Sequence, residues 1–313
     1  MNLDYTNYIK IQNIIKFLTK SIGATPSVVY EINNIIERWR ISENNNIQAT
    51  NTMLRELKEK FSEIETSDME KIVKQVNLIW NLDCHYQIEK VHVNYKRNKL
   101  IINDLEFRLT PKLKTLLSLT SIEKTVRCYL KYLSINSGHQ QWGLVQSHYD
   151  YLYDICGVRN EGFASPMNSR LIGKVGAKFC SLFPETDEVF GSIGSFFSNH
   201  LYNQSGNWII NPPFIESIID LMADKILTEL DECLKIKKEI MCFILLPSWE
   251  DTSGFRKLIV SKFYTQRFNL KRYKFHMEDQ DGNVFLSKTN CIYLVISPSP
   301  IFLDFDALSR TFS

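Results

Sequence analysis

The stretch Trp208-Ile209-Ile210-Asn211-Pro212-Pro213-Phe214 decides the fold class of the second half of the chain. Its apolar start and polar stop indicate a buried strand that ends at Asn211. The segment from Ile215 to Leu234 is predicted to form a helix directly behind that strand. A strand, a short loop and a helix in this order are typical of an α/β domain.

Two further apolar runs extend this pattern along the chain. The run from Ile240 to Leu246, closed by Pro247, suits a buried central strand, and Cys291 to Ile296 predicts another strand. From about Tyr151 onward, short apolar strands alternate with loops and helical segments. We therefore predict an α/β fold for this part of the chain.

The first part of the chain is predicted to be helical, apart from one hairpin. Gly23 ends the first helical pattern, and the polar stretch from Ser42 to Asn51 predicts a loop. Helical spacing covers Tyr8 to Leu18, Val28 to Arg40, Met53 to Phe61, Met69 to Leu82 and Leu113 to Leu133, and the hairpin pairs Val91 to Val93 with Leu100 to Ile102. Glycines interrupt the helical pattern between Ser134 and Tyr149, so we predict a mainly helical domain at 1–140 and an α/β domain at 141–313.

The composition fits two packed domains and leaves several function classes open. A chain of 313 residues with 44% hydrophobic residues can fill two cores, and its net charge of +2 neither requires nor excludes a nucleic-acid partner. Seven scattered cysteines without a Cys-x-x-Cys argue against a disulfide framework and a zinc site, so no metal is expected. Neither a signal peptide nor an apolar run of membrane-spanning length is recognised, so we expect a soluble intracellular protein, nuclear or cytoplasmic.

The loop Asn211-Pro212-Pro213-Phe214 has a chemistry that suits methylation of an adenine amine. An asparagine oxygen and a backbone carbonyl can accept both N–H bonds of the amine and so help it to present its lone pair. The prolines stiffen the loop, and the aromatic ring can stack on the base. The alternative is an ordinary turn at the end of a strand.

Several short blocks surround this loop in a fixed order. They are Glu161-Gly162-Phe163-Ala164-Ser165-Pro166-Met167-Asn168, Phe183-Pro184-Glu185-Thr186-Asp187, Phe190-Gly191-Ser192, Ser205-Gly206, the Asn211 loop with Glu216, and Leu246-Pro247-Ser248-Trp249. With these blocks, the segment from about Val126 to Pro298 resembles the phosphorylated-CTD-interacting factor family, the cap-specific adenosine N6 methyltransferases. The first hundred or so residues match only in a general, helical way.

This resemblance implies a Rossmann-like methyltransferase domain at 141–313 that uses S-adenosyl-L-methionine, and a substrate- or cap-binding domain at 1–140. It implies that the whole loop is catalytic, and that Asn211, Pro212, Phe214 and Phe190 contact the cofactor. Ser165 and Pro166 stand where such domains often carry a glycine-rich loop, with a plain turn as the alternative. The substrate contacts that it implies are Glu216, Pro247 and Trp249, with Ser248 in place of the family's acidic residue.

Other residues permit two interpretations each. Trp249 suits base stacking or the core, and Glu216 suits substrate contact or the helix dipole. Basic and aromatic residues interleave, which suits an RNA strand or a solvated face, at Lys257, Lys262, Phe263, Tyr264, Arg267, Phe268, Lys271, Arg272, Tyr273, Lys274 and Phe275. A second basic group surrounds the hairpin, with the same two interpretations. The histidines have no metal spacing, and His139 and His148 are predicted in loops.

No tryptophan pair with the spacing of a WW module precedes the helical region. We therefore expect no WW module and no recruitment to a phosphorylated polymerase tail. The resemblance implies a capped RNA substrate, methylated at the N6 amine of its first transcribed adenosine. The alternatives are an adenine N6 methyltransferase of DNA or internal RNA, and a non-catalytic RNA-binding relative.

Overall fold

The computed structural model describes residues 1–44, 52–136, 138, 141–301 and 303–312. The chain divides into two compact units, Met1–His139 and Gln140–Ser313. The predicted domain boundary falls beside residues 139 and 140, which lie outside the described ranges. Within the described ranges, none of the helices combines the length and the apolar character needed to cross a bilayer.

The first unit contains six helices and a small sheet among its described residues. The helices are α1 (Asn2–Ile22), α2 (Pro26–Asn44), α3 (Thr52–Lys60), α4 (Thr66–Trp80), α5 (Pro111–Leu119) and α6 (Ile122–Leu133). The four helices predicted before the hairpin are confirmed, and α1 ends at Gly23, whose φ of 149° favours glycine. The loop predicted at Ser42 is wrong over its first residues, because α2 continues to Asn44; residues 45–51 lie outside the described ranges.

The single helix predicted from Leu113 to Leu133 is also wrong. Thr120 is extended between α5 and α6, and the hydroxyl of Ser121 accepts a hydrogen bond from the backbone nitrogen of Lys124 at 3.3 Å. This N-cap starts a new helix. Periodicity alone missed the break because the apolar spacing is similar on both sides of it.

The sheet of the first unit consists of β1 (Val91–Asn94), β2 (Lys99–Ile102) and β3 (Leu105–Arg108), in that order and antiparallel. The predicted hairpin between the first two strands is confirmed, and β3 was not predicted. Asn98 and Asn103 make the tight turns with φ values of 52° and 51°. Asparagine tolerates this left-handed conformation better than most residues.

The second unit is an α/β structure, as predicted. Its elements are β4 (Gly143–Leu144), α7 (Gln146–Asp154), β5 (Val158–Ala164), β6 (Lys178–Ser181), α8 (Pro184–Asp187), β7 (Asn207–Ile210), α9 (Glu216–Lys235), β8 (Cys242–Pro247), α10 (Ser253–Val260), β9 (Tyr264–Leu270), β10 (His276–Glu278), β11 (Val284–Leu286), β12 (Cys291–Ile296) and α11 (Phe305–Arg310). Six strands form one sheet in the order β6-β5-β7-β8-β12-β9. The first four are parallel to one another, and β12 is antiparallel to both β8 and β9.

Both faces of this sheet are buried, which explains why its central strands read as continuous apolar runs. On one face, Trp208 and Ile244 pack with residues of α9 and α10 such as Met222 and Leu258. On the other face, alternate residues of the same strands pack with α7 and α11. The three strands predicted from apolar runs are confirmed.

His148 corrects one sequence prediction, because it lies in α7 and is fully buried instead of occupying a loop. Its Nδ1 atom is 2.6 Å from the hydroxyl of Thr311, and its Nε2 atom is 2.9 Å from the hydroxyl of Tyr293. Burial lowers the pKa of His148 to about 3. The imidazole is therefore neutral in the folded protein at physiological pH.

His148 should make the protein acid-sensitive. Since its pKa is about 3 when folded and 6.5 in the reference state, only the unfolded chain takes up this proton as the pH falls below about 6.5. Stability should then fall by about 1.4 kcal/mol per pH unit between roughly pH 6 and pH 4. His148→Gln should be less stable at pH 7.5 but lose less stability over this range. Urea midpoints at each pH measure this; parallel curves for both proteins would contradict it.

Candidate active site

In the sheet of the second unit, the strands that follow β5 in the chain lie on opposite sides of it. The chain places β6 on one side of β5 and β7 on the other, so the two strands flank a topological switch point. The ladder between β5 and β7 ends at the pair Glu161–Ile209, before β5 itself ends. Ligands of open α/β sheets bind at the carboxyl ends of strands at such a switch point. The loop after β7 begins at this edge with Asn211.

Asn211 has a side chain whose orientation is fixed by one hydrogen bond. Its Nδ2 atom donates to the backbone carbonyl of Trp142 at 2.9 Å. Because a carbonyl oxygen only accepts, the nitrogen must face it, and the amide cannot be flipped. The Oδ1 atom accepts no hydrogen bond from any residue that the structure describes. Asn211 is half-buried and therefore presents a fixed acceptor at the switch point.

The two prolines after Asn211 make the loop rigid and rich in acceptors. Neither carries an N–H group, so neither adds a backbone donor here. The carbonyl of Pro213 accepts from the backbone nitrogen of Ile215 at 2.7 Å, just before α9 begins. The carbonyl of Pro212 has no such partner within the described ranges. The loop thus offers two free oxygen acceptors next to each other.

Two aromatic residues lie beside this loop. The rings of Phe214 and Trp249 are 6.3 Å apart between centroids, with an interplanar angle of 65°. Trp249 is 38% exposed, so the alternative of a core tryptophan is wrong. The sheet brings these residues together because β7 and β8 are parallel neighbours. Base-stacking sites often consist of such partly exposed rings.

The remaining predicted substrate residues lie at the same edge. Pro247 is the buried last residue of β8, and Ser248 is exposed directly after it. Glu216 is the exposed first residue of α9. A carboxylate there also favours the positive end of the helix dipole. The substrate contact of each residue stays a prediction.

Ser165 and Pro166 follow β5 at the switch point, and both are buried. The hydroxyl of Ser165 donates to Gln141 Oε1 at 2.6 Å and accepts from the backbone nitrogen of Met167 at 3.1 Å. These bonds form a tight turn within the protein. A cofactor contact of Ser165 therefore stays a prediction, and its side chain already has a structural role.

Phe190 lies farther from the Asn211 loop in the sheet. It ends a short 3-10 turn, Glu188–Phe190, and is buried. Just after it, Ser192 forms an isolated parallel β-bridge with Phe179 of β6. Since β5 lies between β6 and β7, the sheet does not put Phe190 beside the loop. Its proposed contact requires a ligand that extends across β5.

The most informative residue that the sequence analysis missed is Trp142. Its carbonyl orients Asn211, and it directly precedes β4, in a region that the sequence analysis treated only as a domain boundary. The strand pairs with β10, where Glu278 lies opposite Gly143. The only sequence signal was the small residue Gly143: a Cβ atom there would lie 3.6 Å from the Nδ2 atom of Asn211.

A buried ion pair anchors this region. Arg170 Nη1 donates to Glu278 Oε1 at 2.8 Å, and Arg170 Nη2 donates to the carbonyl of Asp279 at 2.9 Å. The other carboxylate oxygen of Glu278 accepts from the backbone nitrogen of Gln146 at 3.0 Å. The pair therefore joins the turn after β5 to β10 and to the start of α7.

Within the predicted basic and aromatic cluster, some cations have acidic partners and some aromatic rings are buried. Three of its cations lie in ion pairs, which are Lys257–Asp224, Lys262–Asp231 and Arg267–Glu250. The hydrogen bond from Arg267 lowers the pKa of the Glu250 carboxyl. Phe263 and Phe275 are buried in the core and cannot stack on a base. For Phe263 and Phe275 the RNA interpretation is therefore wrong, and for the three cations in solvent-accessible ion pairs both interpretations stay open.

The comparison with known proteins decides the family. The sequence model described as "Phosphorylated CTD interacting factor 1 WW domain" matches residues 116–280, which is more than half of the chain. The chain belongs to the phosphorylated CTD interacting factor 1 family. The match begins within α5 and extends through the Asn211 loop to β10.

Two methyltransferases are among the relatives of this family member. The mRNA (2'-O-methyladenosine-N(6)-)-methyltransferases of Mus musculus and Homo sapiens are each 30% identical to it over 143 residues. The aligned part is 45% of this chain but 18% of each relative's length. The similarity supports a methyltransferase of this family, and activity and substrate require a separate argument.

The family match corrects the expectation about the WW module. That expectation looked for a tryptophan pair ahead of the helical region, whereas the matching model carries the WW description and covers 116–280. The expected absence of a WW module is therefore wrong, and so is the expectation that excluded recruitment to a phosphorylated polymerase tail.

Proposed function

We propose that this chain is an S-adenosyl-L-methionine-dependent methyltransferase that methylates the N6 amine of an adenine. The observation that carries the proposal is the Asn211 side chain, held by the Trp142 carbonyl so that its oxygen is the free acceptor. A second free acceptor, the Pro212 carbonyl, lies one residue away. The order of the four parallel strands and antiparallel β12 supports a Rossmann-like arrangement for the domain at 141–313.

The cofactor fits the chemistry of this edge. The strands β5 and β7 part there at a switch point, where nucleotide-like ligands bind in open α/β sheets. The two free oxygen acceptors suit a positively charged sulfonium nearby. The residues proposed to hold the cofactor are Asn211, Pro212, Phe214, Phe190, Ser165 and Pro166. When bound, S-adenosyl-L-methionine supplies the methyl group, and its sulfur keeps the electron pair of the broken C–S bond.

The chain contributes orientation to this reaction. Asn211 Oδ1 and the Pro212 carbonyl accept the two N–H bonds of the adenine amine, which holds its lone pair toward the methyl group. The nitrogen forms the new bond with that lone pair and then loses one proton to solvent. Both oxygens also stabilise the positive charge that the nitrogen gains during attack. Phe214 and Trp249 are proposed to hold the base by stacking.

We propose capped mRNA as the substrate, methylated at its first transcribed adenosine. The support is the name of the two relatives, which act on 2'-O-methyladenosine of mRNA, together with the family match. Glu216, Pro247, Ser248 and Trp249 are the proposed substrate contacts, and the domain at 1–140 is proposed to bind substrate. Ser248 is exposed and uncharged, so recognition at this point lacks a carboxylate.

A parallel transfer assay tests the proposal. Radiolabelled S-adenosyl-L-methionine is incubated with the chain and with capped RNA, uncapped RNA of the same sequence, or duplex DNA. We expect label at adenine N6 in capped RNA only. Equal label in uncapped RNA would remove the cap dependence, and label in DNA would favour a base-flipping DNA enzyme. Cofactor binding without any transfer would favour a non-catalytic RNA-binding protein.

A further inference from the structure

The turn after β9 carries the cations of the predicted cluster that are left without acidic partners. We call residues Lys271, Arg272, Tyr273 and Lys274 the basic turn. The backbone nitrogen of Lys274 donates to the carbonyl of Lys271 at 3.1 Å, which closes it. All four residues are exposed, and Tyr273 is 55% exposed with a φ of 59°. The backbone thus holds a large aromatic ring out in solvent at a conformation that tyrosine rarely adopts.

The charges of the basic turn are not neutralised within the described chain. Lys271, Arg272 and Lys274 form no ion pair with any described residue, unlike Lys257, Lys262 and Arg267. The guanidinium of Arg272 lies 5.8 Å from the centre of the Tyr273 ring. Lys288, also exposed and without an ion pair among the described residues, directly follows Ser287, whose carbonyl accepts from the backbone nitrogen of Tyr273 at 2.7 Å. This end of the sheet therefore attracts a polyanion.

The basic turn lies at the same edge of the sheet as the candidate active site. In β12, Cys291 pairs with Pro247 on one side and with Leu270 on the other. The ends of β8 and β9 are therefore two strand spacings apart, about 10 Å. Asn290 spans this gap: its carbonyl accepts from Ser248 at 3.0 Å, and its Oδ1 atom accepts from the backbone nitrogen of Arg272 at 2.9 Å.

We propose that the basic turn, together with Trp249, binds the single-stranded RNA that flanks the target adenine. This inference rests on the proposed function, because it extends the same edge from Phe214 through Trp249 to Arg272 and Tyr273. Cations that alternate with exposed aromatic rings suit phosphates and unstacked bases in a single strand. Glu250, the acidic residue directly after Trp249, is held in an ion pair by Arg267.

A charge-matched pair of variants tests this path in the full chain. One variant carries Lys271→Gln, Arg272→Gln and Lys274→Gln. The control carries Lys235→Gln, Lys257→Gln and Lys262→Gln, which removes the same charge from three ion pairs of α9 and leaves the Arg267–Glu250 pair beside Trp249 intact. Fluorescence anisotropy with a 12-nucleotide single-stranded RNA is measured at several salt concentrations. We expect the basic-turn variant to bind more weakly and its salt slope to fall by about 2, since each lost phosphate contact accounts for about 0.7.

The aromatic ring is tested separately. Tyr273→Ala should weaken RNA binding by about 5- to 150-fold, which corresponds to the loss of one stacked base. Alanine, like tyrosine, carries a Cβ atom at this positive φ, so circular dichroism checks that the fold is retained. Tyr264→Ala, which removes an exposed tyrosine at the start of β9, is the control and should bind normally.

The outcomes separate this inference from the proposed function, because binding is measured without cofactor or turnover. If only the basic-turn variant loses RNA affinity, the result supports the proposed RNA path even if the chain methylates nothing. Equal loss in both charge variants would overturn it, since net charge alone would then explain binding. A basic turn that binds a phosphorylated acidic peptide but not RNA would also overturn it.

Discussion

Replacing Asn211 with alanine should lower the rate constant for methyl transfer by about 10²–10³-fold while the fold is retained. The side chain is half-buried and makes one hydrogen bond, to the Trp142 carbonyl, so its removal costs the fold little. Its free oxygen is the acceptor proposed to orient the amine, so its loss affects the transition state. Single-turnover transfer to capped RNA measures the change without a contribution from product release.

Asn211→Asp tests whether the orientation of the side chain, and not only the presence of an oxygen, is required. The carboxylate has nearly the same shape but cannot donate to the Trp142 carbonyl, and it would place a charge against that oxygen. We expect transfer as slow as in Asn211→Ala, although an oxygen is still present. Asn203→Ala, at an exposed position in the 3-10 turn Leu201–Asn203 ahead of β7, is the control and should transfer normally. Normal transfer by either Asn211 variant would show that the amine is oriented by other groups.

The placement of Asn211 was predictable because it depends on local sequence. Three apolar residues, a polar stop and two prolines specify the end of a strand wherever that strand lies in the sheet. The α/β class follows in the same way from repeated apolar runs. The break between α5 and α6 was missed although it is local. The Ser121 N-cap starts a new helix there, while the apolar spacing is similar on both sides of the break.

The partners of the site could not be predicted, because they come from distant parts of the chain. Trp142 reaches Asn211 across 69 positions, and Arg170 reaches Glu278 across 108. No spacing rule connects residues so far apart. The ion pairs of Lys257, Lys262 and Arg267 form in the same way, since α9 and the loop after β8 supply their acids.

The second large effect that we expect concerns Arg170. Arg170→Met should lower the stability of the second unit by about 3–5 kcal/mol, because it leaves the buried carboxylate of Glu278 without its cation. For a domain of this size, that corresponds to a fall of about 6–20 °C in the unfolding midpoint. Thermal unfolding of the full chain, followed by circular dichroism, measures the shift.

Two comparison variants assign the cause of this loss. Lys235→Met removes an exposed ion pair with Glu232 in the same unit and should leave the midpoint nearly unchanged. Adding Glu278→Gln to Arg170→Met should restore part of the stability, because the orphaned charge is then gone. If the double variant is no more stable than Arg170→Met, lost packing and not the buried charge is responsible.

Arg170 should also influence transfer, although we place it in no contact with the substrate. Glu278 pairs with Gly143, so the ion pair holds the strand that directly follows Trp142, whose carbonyl orients Asn211. At a temperature where Arg170→Met is still folded, we expect slower transfer with little change in cofactor affinity. The double variant should recover stability more than rate, because glutamine cannot replace the fixed geometry of the ion pair. Unchanged transfer in folded Arg170→Met would mean that β4 is held by its pairing with β10 alone.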